Sequence, residues 1–198
     1  MPSSRSCAIR SSCGLHPLGV GLQPRDQITK RRPCDEQSQP TLRRCNAPGC
    51  NNYRCPYCRK AFSEVADLVK TDGIIRFVVK EFPLLREDST NYSRFALAMR
   101  MLHGDDAYKQ TYDALITLKG SPDPDTLSRL ARDLGFDPKP ILDLMPDQKI
   151  TAILAANRDL ADKLGIGGTP TFVIEHYMLR GYAPEEEMRK IVAEQRAG

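Results

Sequence analysis

The sequence predicts an α/β domain with a block of helices in its middle. Three observations carry that prediction. The β-branched and aromatic run "GIIRFVVKEFP", Gly73–Pro83, reads as a buried strand. "TPTFVIEHYMLRGY" near the C-terminus reads as two short strands, about 171–175 and 177–181. Between these regions, from about Asn91 to Leu164, apolar residues recur at helical spacing. The predicted order is helix, strand, helices, strand pair, helix.

Each element has its own local reason. Phe62, Val65, Ala66 and Val69 share a face and predict a helix from about Pro56 to Lys70. Tyr92, Phe95, Ala96 and Met99 make a second apolar face, and Tyr108, Tyr112, Leu115 and Ile116 a third; these aromatic faces are expected in the core. "SPDPDTLSRLARDLG" supplies Asp123 as N-cap, Pro124 at the first helical position and Gly135 as the stop. Ile150, Ile153, Leu154, Asn157, Leu160, Ala161 and Leu164 line a longer helix that Gly165 ends. A final helix opens at Pro184 with Met188, Ile191 and Val192 facing inward, and Glu185 to Glu187 complement its dipole. His103 and His176 are expected at the surface and in a turn.

Residues 1–50 are unlike the rest. They are rich in Ser, Arg, Pro and Cys without helical or alternating periodicity, and read as a disordered head. All seven cysteines lie in the first 58 residues, so a disulfide framework cannot hold the bulk of the chain together. The net charge of +4 is uneven: 11 Lys/Arg against 3 Asp/Glu in residues 1–60, and 18 against 22 in residues 61–198. The basic residues are scattered without aromatic interleaving or a helical stripe, so no nucleic-acid partner is expected. No run of 18 apolar residues predicts a membrane span. The candidate signal core, Gly14 to Leu22, is broken by His16 and Pro17, so no signal peptide is assigned.

The chemistry concentrates in Cys55-Pro56-Tyr57-Cys58, at the mouth of the first predicted helix. There the unpaired backbone N–H groups and the helix dipole favour a thiolate on the first cysteine, and the second, one turn inward and less exposed, can resolve a mixed disulfide. Pro56 stiffens the turn and starts the helix. Arg54, Arg59 and Lys60 add positive charge, and no carboxylate lies between Glu36 and Glu64 to oppose them. Alone, this spacing leaves a redox pair, a metal site and an incidental pair open. The metal reading would gather Cys45, Cys50, Cys55 and Cys58 around zinc, although their gaps lack the second two-residue knuckle of common zinc ribbons.

A second feature is "GIGGTPTFVI". With a cis Thr169–Pro170 bond the chain would turn sharply into its strand, and Thr169 could offer its backbone to an extended substrate. The combination of "YRCPYCRKAFSEVADLV", "IRFVVKEFPLL", "GIGGTPTFVI" and "LRGYAPEEEMRKIV" resembles the DsbA-like branch of the thioredoxin superfamily over about residues 52–198. The 111 residues between Cys58 and Pro170 match that branch's inserted helical domain.

The resemblance implies a thioredoxin-like fold made of residues 51–90 and 165–198, with a helical insertion at 91–164. It implies Cys55 as nucleophile, Cys58 as resolving cysteine and Pro170 as the cis-proline facing them, with Thr169, Pro56 and Tyr57 at the substrate. It further implies disulfide exchange with thiol-containing exported proteins, as an oxidant or else an isomerase or reductase, in the periplasm. A membrane or soluble redox partner is expected, with no metal or cofactor, and a monomer. Two departures stand out. The central strand that should precede the CPYC has no apolar run in "TLRRCNAPGCNN", so that strand is expected to be missing or replaced. No acid lies between Gln37 and Ser63, so no buried acid is assigned beside the cysteines. Residues 1–50 are accordingly expected to be a foreign head, from a shifted frame or misassigned start joined near Asn51.

Overall fold

In the computed structural model residues 46–84 and 86–197 are described. The chain runs β1 (Asn46–Asn51), α1 (Pro56–Asp72), β2 (Arg76–Glu81), α2 (Arg86–Thr117), α3 (Pro124–Asp133), α4 (Pro138–Leu144), α5 (Gln148–Lys163), β3 (Thr171–Ile174), β4 (Tyr177–Arg180) and α6 (Glu185–Ala197). The strands form one sheet in the order β2-β1-β3-β4. β1 runs parallel to β2 from Asn46 opposite Arg76 to Asn51 opposite Glu81. β3 is antiparallel to both β1 and β4.

The expected loss of the central strand is corrected here. β1 occupies that position although its sequence, Asn-Ala-Pro-Gly-Cys-Asn, has neither an apolar run nor strand propensity. Strand membership depends on the neighbouring ladders more than on intrinsic preference. Pro48 lies opposite Val78, while the register with β3 takes up Gly49 and Cys50, so the residue that cannot donate falls outside the doubly bonded stretch. The disordered head predicted for 1–50 is thereby corrected for Asn46–Cys50. Its remainder, including Cys7, Cys13, Cys34 and Cys45, lies outside the described residues.

α1 begins with Pro56 and stops at Gly73, whose φ of 74° allows its N–H to reach the Val69 carbonyl at 3.1 Å. One face buries Ala61, Val65 and Leu68 against Phe172 and Ile174 of β3 and against Met188, Ile191 and Val192 of α6. The two aromatic helical faces predicted from sequence belong to one long element, α2, broken at Gly104 (φ 86°, ψ −171°). Tyr92, Phe95, Met99, Leu115 and Ile116 of α2 are buried in a second core with Leu127, Ile141 and Ile150 of α3, α4 and α5. Asp123 caps α3 as predicted, accepting the Thr126 N–H at 2.8 Å. α4 is a single short helix that sequence periodicity did not separate, and Asp137 caps it. α5 differs from expectation: Ile150 and Ala161 are buried, but Ile153, Leu160 and Leu164 are exposed. Its inward face is narrower than its apolar face. His103 is exposed against Phe136, and His176 sits in the β3–β4 turn, as the sequence suggests.

Candidate active site

The site lies where α1 starts. Cys55 has extended backbone (φ −79°, ψ 120°) at the N-cap, and its N–H donates to the Asn52 carbonyl at 2.9 Å. That places Cys55 at the open end of the helix and Cys58 one turn inside. Both sulfurs are free. Cys55 and Cys58 are 6% and 4% exposed, so the expected contrast between an open and a sheltered cysteine is small. Pro56 and Tyr57 between them are exposed, Tyr57 to 61%, and form the rim.

Opposite the pair stands the turn before β3. Thr169–Pro170 is cis, as the sequence suggested. The Cys55 Sγ donates to the Thr169 carbonyl at 3.1 Å, across 114 positions of chain. Burial pushes the Cys58 thiol up to about 12, while hydrogen bonds from the Asn52 backbone and the Thr169 side chain act the other way. Thr169 therefore touches both cysteines. The structure brings together all six residues singled out from the sequence: Cys55, Pro56, Tyr57, Cys58, Thr169 and Pro170.

The basic residues around the motif serve the scaffold. Arg59 donates from Nε to the Tyr53 carbonyl at 2.8 Å and from its terminal nitrogen to the Leu118 carbonyl at 2.8 Å. Lys60 lies 4.1 Å from the centre of the Tyr182 ring. Arg54 lies 3.9 Å from Asp88, a carboxylate distant in sequence that offsets its charge. In the zinc reading, Cys45 falls outside the described residues.

One residue escaped the sequence reading. Glu81, the last residue of β2, is 1% exposed, and its carboxylate accepts hydroxyl hydrogen bonds from Tyr53, Tyr108 and Ser93. Burial raises its pKa, and the three hydroxyls work against that. Tyr53 packs against Tyr92 and Tyr112, with ring centres 5.6 and 5.9 Å apart, in the same buried cluster as both cysteines. The buried acid stands on β2, outside the Gln37–Ser63 stretch in which the resemblance places one. The available signal was a carboxylate inside the apolar run Val78-Val79-Lys80-Glu81-Phe82.

A family model described as Thioredoxin matches residues 50–194. A thioredoxin-like oxidoreductase from Silicibacter pomeroyi shares 33% identity and superposes with a TM-score of 0.72, covering 78% of this chain and 87% of that one. The thiol-disulfide exchange protein alpha-DsbA2 from Wolbachia pipientis shares 26% identity at a TM-score of 0.70, covering 81% and 83% of the two chains. The Na(+)/H(+) antiporter NhaA 1 of Salinispora arenicola is 29% identical over 124 residues, or 62% of this chain. The chain spans 19% of that relative's length. No described helix is long and apolar enough to cross a membrane. A dithiol at a helix start, a cis Thr-Pro against it and helices inserted between β2 and β3 agree with these likenesses: the chain belongs to the thioredoxin family, among its DsbA-like thiol-disulfide oxidoreductases.

Proposed function

We propose that the chain exchanges disulfides with thiol-containing exported proteins through Cys55 and Cys58, working as an oxidant. The observation that supports this most directly is the 3.1 Å contact between the Cys55 sulfur and the Thr169 carbonyl. It puts the sulfur beside a strand-like backbone edge that an extended substrate can join. The exposed Pro56 and Tyr57 flank the same opening and take up substrate side chains.

In the oxidising direction a substrate thiolate attacks Cys55 in the Cys55–Cys58 disulfide. A mixed disulfide forms, the intramolecular S–S bond breaks, and Cys58 leaves with the electron pair. Its raised pKa means that it takes up a proton at neutral pH. A second substrate thiolate then attacks its own sulfur in the mixed disulfide and releases Cys55. Two electrons and two protons pass from the substrate dithiol to the cysteine pair, with no metal or cofactor. A membrane or soluble partner reoxidises the pair. This chemistry belongs in an oxidising compartment, the periplasm. Residues 51–90 and 165–198 supply the exchanging part and 91–164 the helical cover, and the protein acts as a monomer.

Equilibration of the Cys55/Cys58 pair against glutathione tests the direction. An oxidant settles at a potential well above the thioredoxin range of about −270 mV. A value at or below that range makes the protein a reductase, and no exchange with a model dithiol peptide removes the proposal altogether.

A further inference from the structure

Glu81 sits at the junction of three parts of the molecule. A carboxylate as buried as this costs several kcal/mol to remove from water, and the cost is recovered only when its hydrogen bonds are complete. Its donors are Tyr53 at 2.6 Å and Tyr108 at 2.7 Å, both to Oε1, and Ser93 at 2.7 Å to Oε2. Ser93 and Tyr108 lie on opposite sides of the Gly104 break in α2. The Glu81 carbonyl also accepts from Asn157 of α5 at 3.0 Å. A similar apolar side chain would fill the space without the desolvation cost. The acceptors themselves are what the position provides.

Tyr53 is the link to the chemistry. It stands two residues before Cys55, is wholly buried, and is held at both ends: its hydroxyl by Glu81 and its carbonyl by Arg59. The backbone N–H groups of this turn bond locally, from Cys55 and Arg54 back to Asn52. We propose that Glu81 is a positioning residue for the dithiol. Through the Tyr53 hydroxyl it fixes the Asn52–Cys55 turn that sets the Cys55 sulfur against Thr169. Through Ser93 and Tyr108 it ties that turn to both halves of α2. The assignment rests on Cys55 and Cys58 being an exchanging pair. Exchange needs the attacked sulfur in line with the incoming and leaving sulfurs, so a loosened turn slows it even in a folded protein.

The test compares Glu81→Ala, Glu81→Gln, Tyr53→Phe and Tyr108→Phe in the full chain. Each reduced variant is mixed with oxidised glutathione, and formation of the adduct at Cys55, together with the Cys55–Cys58 disulfide it resolves into, is timed by peptide-resolved mass spectrometry, since the chain has seven cysteines. Thermal unfolding is recorded alongside. Glu81→Ala and Tyr53→Phe are expected to slow the adduct about tenfold. Glu81→Gln, whose amide oxygen can accept from both tyrosines, and Tyr108→Phe, which spares the Tyr53 bond, should stay within about threefold of the parent. Should Glu81→Ala fail to fold, the contrast between the two tyrosine variants carries the test. Rates that merely follow lost stability, a Tyr53→Phe variant at the parent rate, or Glu81→Gln as slow as Glu81→Ala would each overturn the assignment. A parent chain that forms neither the adduct at Cys55 nor the Cys55–Cys58 disulfide overturns the dithiol reading first.

Discussion

The Cys55 sulfur and the Thr169 carbonyl meet at 3.1 Å, although 114 positions separate them. The contact joins the start of α1 to the turn before β3, and β1 makes it possible by lying beside β3 with Cys50 opposite Thr171. The sheet register thus brings the ends of two strands, and the loops that leave them, to one place. A backbone carbonyl already turned toward the sulfur can instead receive a donor from a substrate strand. On the proposed function, the edge that orders the resting thiol is also the one that receives the substrate.

From this follows the expected behaviour of Cys58→Ser. With the resolving thiol gone, a mixed disulfide at Cys55 cannot be released from within the protein. The variant should accumulate covalent adducts at Cys55 with thiol-containing peptides added as disulfides, assigned by peptide-resolved mass spectrometry and lost with dithiothreitol. Cys55→Ser should give no such adduct at Cys58, whose thiol burial pushes up to about 12 and so keeps protonated at neutral pH. Equal trapping by both variants would mean that the assigned roles are wrong.

The raised pKa of Cys58 sets a pH dependence of stability. The thiol moves from an ordinary 9.0 to about 12 in the folded reduced protein, chiefly through burial. The folded state therefore holds this proton more tightly than the unfolded chain. The resulting stabilisation is complete below pH 9 and is lost as pH rises toward 12. Tyr53, Tyr108 and Tyr112 are shifted in the same direction, so the measurement is a difference. The gap in Tm between the reduced parent and Cys58→Ser should move against the parent above pH 9. A constant gap would contradict the assigned burial.

The local chemistry was legible in the sequence and the supporting frame was not. Cys55, Pro56 and Cys58 announce a helix start because cap, proline and spacing are adjacent in the chain. Thr169–Pro170 is equally local. β1 carries no such signal: Asn46 to Asn51 form a strand because β2 and β3 bond to them, and those partners lie elsewhere in the sequence. Glu81 follows the same rule. Beside Lys80 it resembles a strand end reaching solvent, and its burial depends on hydroxyls from residues 28, 27 and 12 positions away. α5 fails for the converse reason, because apolar spacing shows that a face exists and not that a neighbour covers it.

Gly104 is the hinge of this frame. Its φ of 86° with ψ of −171° lies in a region that only glycine occupies without strain, although a Cβ would meet no atom within 4 Å. The cost of Gly104→Ala is therefore conformational, about 1–3 kcal/mol. Because Ser93 and Tyr108 lie on either side of the break, the loss should appear in global unfolding by denaturant and not as fraying of α2 alone. An unchanged midpoint would show that the break tolerates an L side chain.

Asp72 and Arg196 provide a prediction independent of the dithiol. Arg196 donates through both terminal nitrogens to the Asp72 carboxylate, at 2.6 and 2.7 Å, joining the last turn of α1 to the last turn of α6. The pair is mostly shielded, at 20% and 13% side-chain exposure, and the two-pronged geometry makes it stronger than a surface ion pair. The bonds from Arg196 hold the Asp72 pKa below its ordinary 3.8. A depressed carboxylate stabilises the fold above the unfolded pKa, and that contribution fades as pH falls through the folded value. Asp72→Asn should therefore cost about 1.5–3 kcal/mol at pH 7. The difference from the parent should shrink below pH 4, within reach of the ordinary 3.8. Exchange at Cys55 should be unchanged, since α1's 17 residues put Asp72 about 25 Å from the helix start. Denaturant unfolding at pH 7 and at pH 3, with the glutathione rate measured in parallel, separates the two effects. A variant that loses exchange while keeping its stability would show that the far end of α1 does reach the dithiol.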